Sequence, residues 1–294
     1  MTKLTSFFNF PNKSTTLLGL LGLGLLRAAA PDPAQAQTRT AATPLCIGET
    51  FTLASKVLGE TRRLNVYVPP VYRDSATVRL PVLYMPDGGL AEDFLHVAGL
   101  MQVLVGNGTM RPFILVGIEN TQRRRDLTGP TTNADDKKIA PRVGGSAAFR
   151  QFIRRELMPA VRQRYRTTPE TALVGESLAG LFAVETLLLE PDLFDTYLAF
   201  DPSLWWNNGQ LAKQAAGPLA AYRGPAKTVY LATSSQGDTA ATRQLASLLR
   251  TPSQPRLTGY YEPMPAETHA TIYHPAALRG LRLVLKPPAT PAAK

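Results

Sequence analysis

The sequence has few residues of the kinds that form disulfides or metal sites. Its 294 residues include one cysteine, Cys46, and three histidines. A single cysteine excludes an internal disulfide, so a hydrophobic core has to stabilise the fold. No small residue of the kind that precedes a lipoprotein cysteine stands before Cys46, and we interpret this residue as an ordinary thiol.

A long apolar segment is also missing. The run "TTLLGLLGLGLL" has about twelve residues, fewer than the roughly 20 that span a bilayer. Lys3 and Lys13 precede this apolar run, and "AQA" at 34–36 follows it. This order predicts a cleavable signal peptide over 1–36 and export to the periplasm or beyond. The alternative is a disordered leader on a cytosolic protein.

Acidic residues are outnumbered by basic ones, 22 Asp and Glu against 32 Lys and Arg, which gives a formal net charge of +10. The basic residues are scattered apart from "RRR" at 123–125, and no aromatic platform is interleaved with them. This pattern argues against nucleic-acid binding. The excess of positive charge suits anionic partners.

Residues 37–48 are predicted to be a short leader, 49–286 a single domain and 287–294 a disordered tail. Apolar runs and alternation predict strands at 49–58, 62–70, 80–87, 113–120, 171–176, 196–203, 227–234 and 257–264. Helices are predicted at 92–105, 146–165, 178–190, 209–222, 239–250 and 275–285. We expect the first two strands to be antiparallel.

This alternation predicts an α/β fold, with a mostly parallel eight-stranded sheet and helices on both faces. In such sheets the working residues gather at the carboxyl ends of the strands. The strand-to-helix joint "TALVGESLAGLF" carries Ser177 between Gly175 and Ala179, close to the G-x-S-x-G pattern of a nucleophile elbow. The alternative is a serine that only caps the helix.

A serine nucleophile needs a base and an acid that orients the base. His269 follows the last predicted strand, which favours it as the base over His274, while His96 lies on an apolar-periodic helix. Asp238 follows the strand at 227–234 and completes the chain order of serine, acid and histidine. Asp201, at the end of the preceding strand, is an alternative acid, and Asp238 is also a candidate helix cap.

An oxyanion hole is predicted beside Ser177. The backbone N–H of Leu178, the residue after the nucleophile, is the first expected donor. Gly88 or Gly89 in "DGGL" is the expected second donor, because this loop follows the strand at 80–87. The two glycines also fit an ordinary turn.

Several segments together resemble the putative-esterase family of α/β-hydrolases, which includes siderophore trilactone esterases, feruloyl esterases and the esterase D type. They are "PVLYMPDGG", "VGIENTQRRRDLTGP", "TALVGESLAGLFAVETLL", "LFDTYLAFDPSLWW" and "ETHATIYHPAALRGLR". The resemblance covers about residues 49–286. The family's elbow usually reads G-H-S-x-G-G, so Glu176 and Ala179 are departures from it.

The resemblance implies a serine carboxylic-ester hydrolase that forms an acyl-enzyme on Ser177 and uses no cofactor or metal. The expected substrate is a small-molecule ester, such as a siderophore lactone, or an aryl or acyl-sugar ester. An acyltransferase with the same site, or a non-catalytic ligand-binding protein, is the alternative. We expect no stable membrane insertion after the signal peptide is cleaved.

Four further residues are candidates for substrate binding. Arg123 and Arg125 follow the strand at 113–120, where either could meet an anionic or catecholate substrate. The alternative is an ion pair that holds the loop, from Arg125 to Asp126 or from an arginine to Glu119. Trp205 and Trp206 follow the strand at 196–203 and either line an acyl pocket or fill the core.

Overall fold

The computed structural model describes residues 41–251 and 255–288. The chain from Cys46 onward forms one compact unit. Its strands are β1 (Glu49–Ser55), β2 (Glu60–Tyr67), β3 (Leu80–Pro86), β4 (Ile114–Ile118), β5 (Thr167–Glu176), β6 (Thr196–Phe200), β7 (Lys227–Ser234) and β8 (Leu257–Met264). The predicted signal peptide, residues 1–36, lies outside the described residues.

Eleven α-helices accompany the strands in the described part of the chain. They are α1 (Pro70–Asp74), α2 (Phe94–Gly106), α3 (Arg123–Leu127), α4 (Ala134–Lys138), α5 (Ser146–Phe152), α6 (Met158–Arg164), α7 (Leu178–Leu189), α8 (Trp206–Gln214), α9 (Ala216–Ala221), α10 (Thr239–Leu249) and α11 (Tyr273–Val284). Each predicted strand and helix has a counterpart. The short helices α1, α3 and α4 were not predicted, since five residues carry too little periodicity to mark a helix.

One eight-stranded sheet has the order β1-β2-β4-β3-β5-β6-β7-β8. β1 and β2 pair antiparallel, as predicted, and β2 is antiparallel to β4. The remaining neighbours are parallel, so β3 to β8 all point their carboxyl ends to the same edge. β5 lies in the interior of this sheet, which places the end of "TALVGE" beside the ends of β3 and β6.

Alternate side chains of the strands enter two separate hydrophobic clusters. Leu173 of β5 faces the cluster under α5, α6 and α7, whereas its neighbour Val174 faces the cluster under α2 and α11. The sheet is therefore covered by helices on both faces, as the continuous apolar strands predicted. Both clusters fix the sheet, and with it the positions of the strand ends.

The predicted long helix at 146–165 is interrupted near Pro159. α5 and α6 are joined by a π-helical turn, Ile153–Leu157, in which Met158 N–H donates to the Ile153 carbonyl. Proline has no N–H, and its ring pushes away the carbonyl one turn earlier. A widened turn just before Pro159 accommodates both effects.

Among the described residues, no helix combines the length and the apolar character that crossing a membrane requires.

Candidate active site

Ser177 lies at a sharp joint between β5 and α7. Its backbone has φ 59° and ψ −117°, a conformation that L-residues rarely adopt. Three backbone hydrogen bonds hold the joint. Ser177 N–H donates to the Phe200 carbonyl (3.0 Å), and the Ser177 carbonyl accepts from Leu181 N–H (2.9 Å) and Ser203 N–H (3.1 Å). The Ser177 side chain makes no capping hydrogen bond to α7. This geometry is that of a nucleophile elbow rather than a helix cap.

The departure at Ala179 is explained by contact with Gly175. A Cβ atom on Gly175 would lie 2.6 Å from the Ala179 Cβ, closer than carbon atoms approach. It would also lie 2.6 Å from the Ala179 carbonyl carbon, so residue 175 has to be glycine, and its missing side chain leaves space for the methyl group of Ala179. Gly180 packs closely as well, since a Cβ there would lie 3.1 Å from the Phe200 carbonyl oxygen. The elbow therefore keeps its tight turn without a glycine at 179.

His269 contacts Ser177 directly. Its Nε2 lies 3.0 Å from the Ser177 Oγ. The loop between β8 and α11 that carries His269 is held to the end of β7, where Gln236 Oε1 accepts from His269 N–H (3.1 Å). Ser235 N–H also donates to the Glu267 carbonyl (3.0 Å). The structure thus brings together the serine and the histidine that the sequence singled out.

The prediction that Asp238 orients His269 is wrong. Oδ2 of Asp201, at the end of β6, lies 2.7 Å from His269 Nδ1 and is the acid that contacts the histidine. Asp238 instead caps α10, where its Oδ1 accepts from Ala241 N–H (3.1 Å). The physical reason is that Asp238 is the N-cap of α10, and its carboxylate is engaged by the first turn of that helix.

The Asp201 carboxylate is fully buried and fixed on several sides. Ser234 donates to it twice, from Oγ to Oδ2 (2.7 Å) and from N–H to Oδ1 (2.9 Å). A Cβ on Gly237 would lie 1.8 Å from Asp201 Oδ1, so that only glycine fits there. The end of β7 and the loop after it therefore hold the acid in place, through Ser234 and Gly237, rather than providing it. Sequence reasoning missed both residues.

The expected oxyanion donors at Gly88 and Gly89 are also corrected. Gly88 N–H donates to the Ile118 carbonyl (3.0 Å), and Gly89 N–H donates to Glu92 Oε2 (2.6 Å). A Cβ on Gly88 would lie 2.3 Å from the Gly117 Cα, so this glycine is required for packing against β4. Leu178 N–H heads α7, where helix geometry leaves it without a partner inside the helix.

The candidate binding residue Arg123 is held by an ion pair, as in the alternative interpretation, but its partner is Asp87, which the sequence did not suggest. Its Nε and Nη2 each donate to the buried Asp87 carboxylate at 2.7 Å. Asp87 also accepts from Asn120 Nδ2 (2.5 Å). The loops after β3 and β4 are thereby joined beside the end of β5.

Arg125 holds its loop through ion pairs, which was the alternative to substrate binding. Its Nε donates to Asp126 Oδ1 (2.6 Å) and its Nη2 to Glu60 Oε1 (2.7 Å). Asp126 is almost completely buried and is also paired with Arg62. Arg125 is therefore part of an ion-pair network that holds α3 against β2.

Trp205 and Trp206 have different surroundings. Trp206 is 4% exposed, and its indole N–H donates to the Gly129 carbonyl (2.9 Å), so it is a core residue. Trp205 is 48% exposed. It follows Ser203 by two residues, and Ser203 Oγ lies 3.4 Å from Ser177 Oγ. Of the two tryptophans, only Trp205 presents its ring to solvent.

The other two histidines form a separate pair. His96 of α2 and His274 of α11 stack, with His96 Nε2 lying 3.0 Å from His274 Nδ1. Burial, and then the charge of His274, lower the pKa of His96. Neither of them hydrogen-bonds Ser177, which agrees with the preference for His269.

An arginine-rich groove of about 660 Å³ adjoins this region. It is lined by Gln122, Arg123, Arg124, Arg125, Ala140, Pro141 and Arg142. Arg123 on its wall is near enough to Glu176, the residue before Ser177, to lower the pKa of that carboxyl. Arg123 and Arg125 are paired with carboxylates, so the positive charge of the groove comes from Arg124 and Arg142.

The fold and this arrangement define an α/β-hydrolase. The family described as "Putative esterase" matches residues 55–273, most of the chain, and the protein therefore belongs to that family. An IroE-like serine hydrolase from Shewanella oneidensis has a similar structure, with a TM-score of 0.72 and 30% sequence identity over 81% of this chain and 80% of its own.

Two curated relatives are siderophore esterases. The chain is 33% identical over 177 residues to the siderophore triacetylfusarinine C esterase of Aspergillus fumigatus, covering 56% of this chain and 59% of the relative. It is 29% identical over 175 residues to the ferri-bacillibactin esterase BesA of Bacillus subtilis, covering 53% and 58%. The chain thus matches somewhat more than half the length of each of these relatives.

Proposed function

We propose that this protein is an exported serine carboxylic-ester hydrolase that cleaves siderophore esters. The observation that carries the proposal is the continuous chain from Ser177 through His269 to the buried Asp201, with contacts of 3.0 and 2.7 Å. A base within hydrogen-bonding distance of a strained serine, with a carboxylate fixing the other ring nitrogen, is the arrangement that activates a hydroxyl for attack on a carbonyl.

The reaction follows from these contacts. Ser177 Oγ attacks the ester carbonyl carbon while its proton moves to His269 Nε2, and Asp201 stabilises the imidazolium that forms. The Leu178 N–H stabilises the oxyanion. Collapse of the tetrahedral intermediate releases the alcohol, which takes the proton from His269 and leaves an acyl group on Ser177. Water, deprotonated by His269, then attacks that ester. Collapse of the second tetrahedral intermediate breaks the bond to Ser177 Oγ, which takes the proton back from His269 as the carboxylic acid is released.

Two observations favour a siderophore ester as substrate. Arg124 and Arg142 line the groove and form no ion pair among the described residues, and ferric tris-catecholate complexes, which carry a net negative charge, are attracted to such positive charge. The relatives named above act, by their names, on ferri-bacillibactin and triacetylfusarinine C. Trp205, exposed near Ser203, offers an aromatic face to such a ligand.

The substrate is tested with a panel of purified esters. Ferri-bacillibactin, triacetylfusarinine C, a feruloyl ester and p-nitrophenyl acetate are incubated with the wild-type protein and with Ser177→Ala, and products are separated by mass. We expect Ser177-dependent cleavage with the highest kcat/KM on one of the two siderophores. Higher kcat/KM on the feruloyl ester would contradict the substrate proposal while leaving the esterase intact.

Export is proposed from the N-terminal pattern alone, and it needs its own test. The full-length chain is produced in a Gram-negative host and the cell fractions are analysed by intact mass. We expect a periplasmic protein whose N-terminus begins after residue 36. A full-length, cytosolic chain would contradict export without affecting the catalytic proposal.

A further inference from the structure

Glu176, the residue before Ser177, departs from the usual elbow sequence and lies within the catalytic arrangement. Its side chain is 16% exposed, and its Oε1 lies 3.4 Å from His269 Nε2. That nitrogen is the one that contacts Ser177 Oγ at 3.0 Å. Nε2 therefore has two oxygen neighbours, the serine hydroxyl and the Glu176 carboxyl.

The Glu176 Oε1 atom is buried and has no hydrogen-bond partner among the described residues. A buried polar atom without a partner is rare, because its desolvation is not compensated. Solvent and a substrate are both kept from an atom with so little exposure. His269 is thus the group positioned to interact with Oε1.

No other charged group near Glu176 is available to pair with its carboxyl in place of His269. Arg123 is held by two hydrogen bonds to Asp87. Asp201 and Asp87 are like charges that raise the pKa of Glu176. Tyr273, which also feels the charge of Glu176, is buried, and burial raises its own pKa, so it stays neutral.

Burial raises the pKa of Glu176 to about 7, and His269 and then Arg123 oppose this rise. A carboxyl with a pKa near neutrality changes charge in the pH range where a histidine base works. The protonation of Glu176 therefore depends on the charge of the His269 ring, whose Nε2 lies 3.4 Å from Oε1.

We propose that Glu176 is a positioning residue for His269: its carboxylate attracts the Nε2 proton of the imidazolium, and thereby sets the pH range in which Ser177 is activated. The inference rests on the proposed function. The negative charge that Glu176 carries above its pKa of about 7 favours a proton on Nε2, both in the resting enzyme near neutral pH and after His269 has taken the serine proton. Removing that charge should therefore make the resting His269 available as a base at lower pH, but should also destabilise the imidazolium that forms when His269 takes the serine proton.

The test is the rate at which a fluorophosphonate–rhodamine probe labels Ser177 between pH 5 and 9, since labelling requires an unprotonated base and no knowledge of the substrate. In Glu176→Gln the acid limb of this profile should move to lower pH by about one unit, as expected for the loss of an opposite charge within a few ångström. In p-nitrophenyl acetate hydrolysis, kcat above pH 8 should fall about tenfold with KM unchanged.

Two controls keep the result interpretable. Glu176→Asp retains the charge and should keep the wild-type acid limb. This result can be interpreted even if Glu176→Gln folds poorly. Glu170→Gln removes the same charge at the other end of β5, where Glu170 pairs with Arg111 at 2.7 Å, and should leave the profile unmoved.

If the acid limb in Glu176→Gln does not move, or moves to higher pH, the inference about Glu176 is overturned. The proposed function still stands in that case, provided that Ser177→Ala is not labelled. A shifted limb in Glu176→Asp equal to that of Glu176→Gln would also overturn the inference about Glu176. Persistent labelling in Ser177→Ala would overturn the proposed function, and the role of Glu176 with it.

Discussion

The Asp201 carboxylate lies 2.7 Å from Nδ1 of His269, although 68 residues separate them in the chain. This contact orients the ring so that Nε2 faces Ser177. Replacing Asp201 with Asn preserves the shape but presents an amide that favours the wrong tautomer. We expect Asp201→Asn to lower kcat by roughly 10³- to 10⁴-fold, as in other serine hydrolases. The measurement is kcat on p-nitrophenyl acetate.

Asp238→Ala is the matched variant for that experiment, because Asp238 is the other acid that the sequence offered. Its carboxylate caps α10, so its loss should destabilise the protein by about 1 kcal/mol and leave kcat within about twofold. Thermal unfolding and kcat separate the two effects. A loss of kcat from Asp238→Ala as large as that from Asp201→Asn would contradict the assignment of the acid.

Gly237→Ala tests the packing that holds Asp201. The new Cβ would lie 1.8 Å from Asp201 Oδ1, so the carboxylate has to move away. We expect kcat to fall at least about tenfold, because small displacements of catalytic groups have large effects on rate. Gly217→Ala is the control, since no atom lies within 4 Å of the added Cβ. Unchanged kcat in Gly237→Ala would show that the loop does not fix the acid.

The two adjacent tryptophans should respond differently to truncation. Trp206→Ala removes a buried ring and its hydrogen bond to Gly129, and should lower the free energy of unfolding by about 3–5 kcal/mol. Trp205→Ala removes a half-exposed ring, so stability should change by less than about 1 kcal/mol while KM for a siderophore ester rises. Chemical denaturation and steady-state kinetics measure the two quantities. An unchanged KM in Trp205→Ala would remove Trp205 from the binding surface.

Low pH should destabilise the protein by protonating Glu60, which belongs to the ion-pair network around α3. Hydrogen bonding from Arg125 first, opposed by burial, lowers the pKa of Glu60 from its ordinary 4.5 to about 2 in the folded protein. A depressed folded-state pKa contributes stability that is present above pH 4.5 and is lost as the pH falls toward about 2.

The variant Glu60→Gln isolates this contribution. Between pH 4.5 and 2 its free energy of unfolding should fall less steeply than that of the wild type, as measured by urea denaturation. Parallel curves for the two proteins would contradict the pKa assigned to Glu60.

The sheet and the elbow could be predicted from sequence because they rest on local patterns. β7 and β8 were predicted with their observed bounds, since apolar runs of this length bounded by turns are typical of buried strands. Gly175, Ser177 and the helix after them lie within a few residues of one another. His269 followed from chain order, because the loop after the last strand returns to the same sheet edge.

The acid and the oxyanion donors could not be predicted in the same way. Asp201 and Asp238 both follow strands that end at this edge, and only tertiary packing shows that Gly237 faces Asp201. The hydrogen bonds that occupy Gly88 and Gly89 depend on β4 and on the rotamer of Glu92. Glu176 could be identified as unusual in sequence, but its distance from His269 could not.

The most direct test of the central claim compares Ser177→Ala with the wild type in the hydrolysis of ferri-bacillibactin and p-nitrophenyl acetate, with folding checked by thermal unfolding. We expect the variant to unfold at nearly the wild-type temperature while kcat falls about 10⁴-fold or more. We also expect a fluorophosphonate adduct on the wild type alone, detected by intact mass. A folded Ser177→Ala variant that retains wild-type kcat would contradict the assignment of Ser177 as the nucleophile.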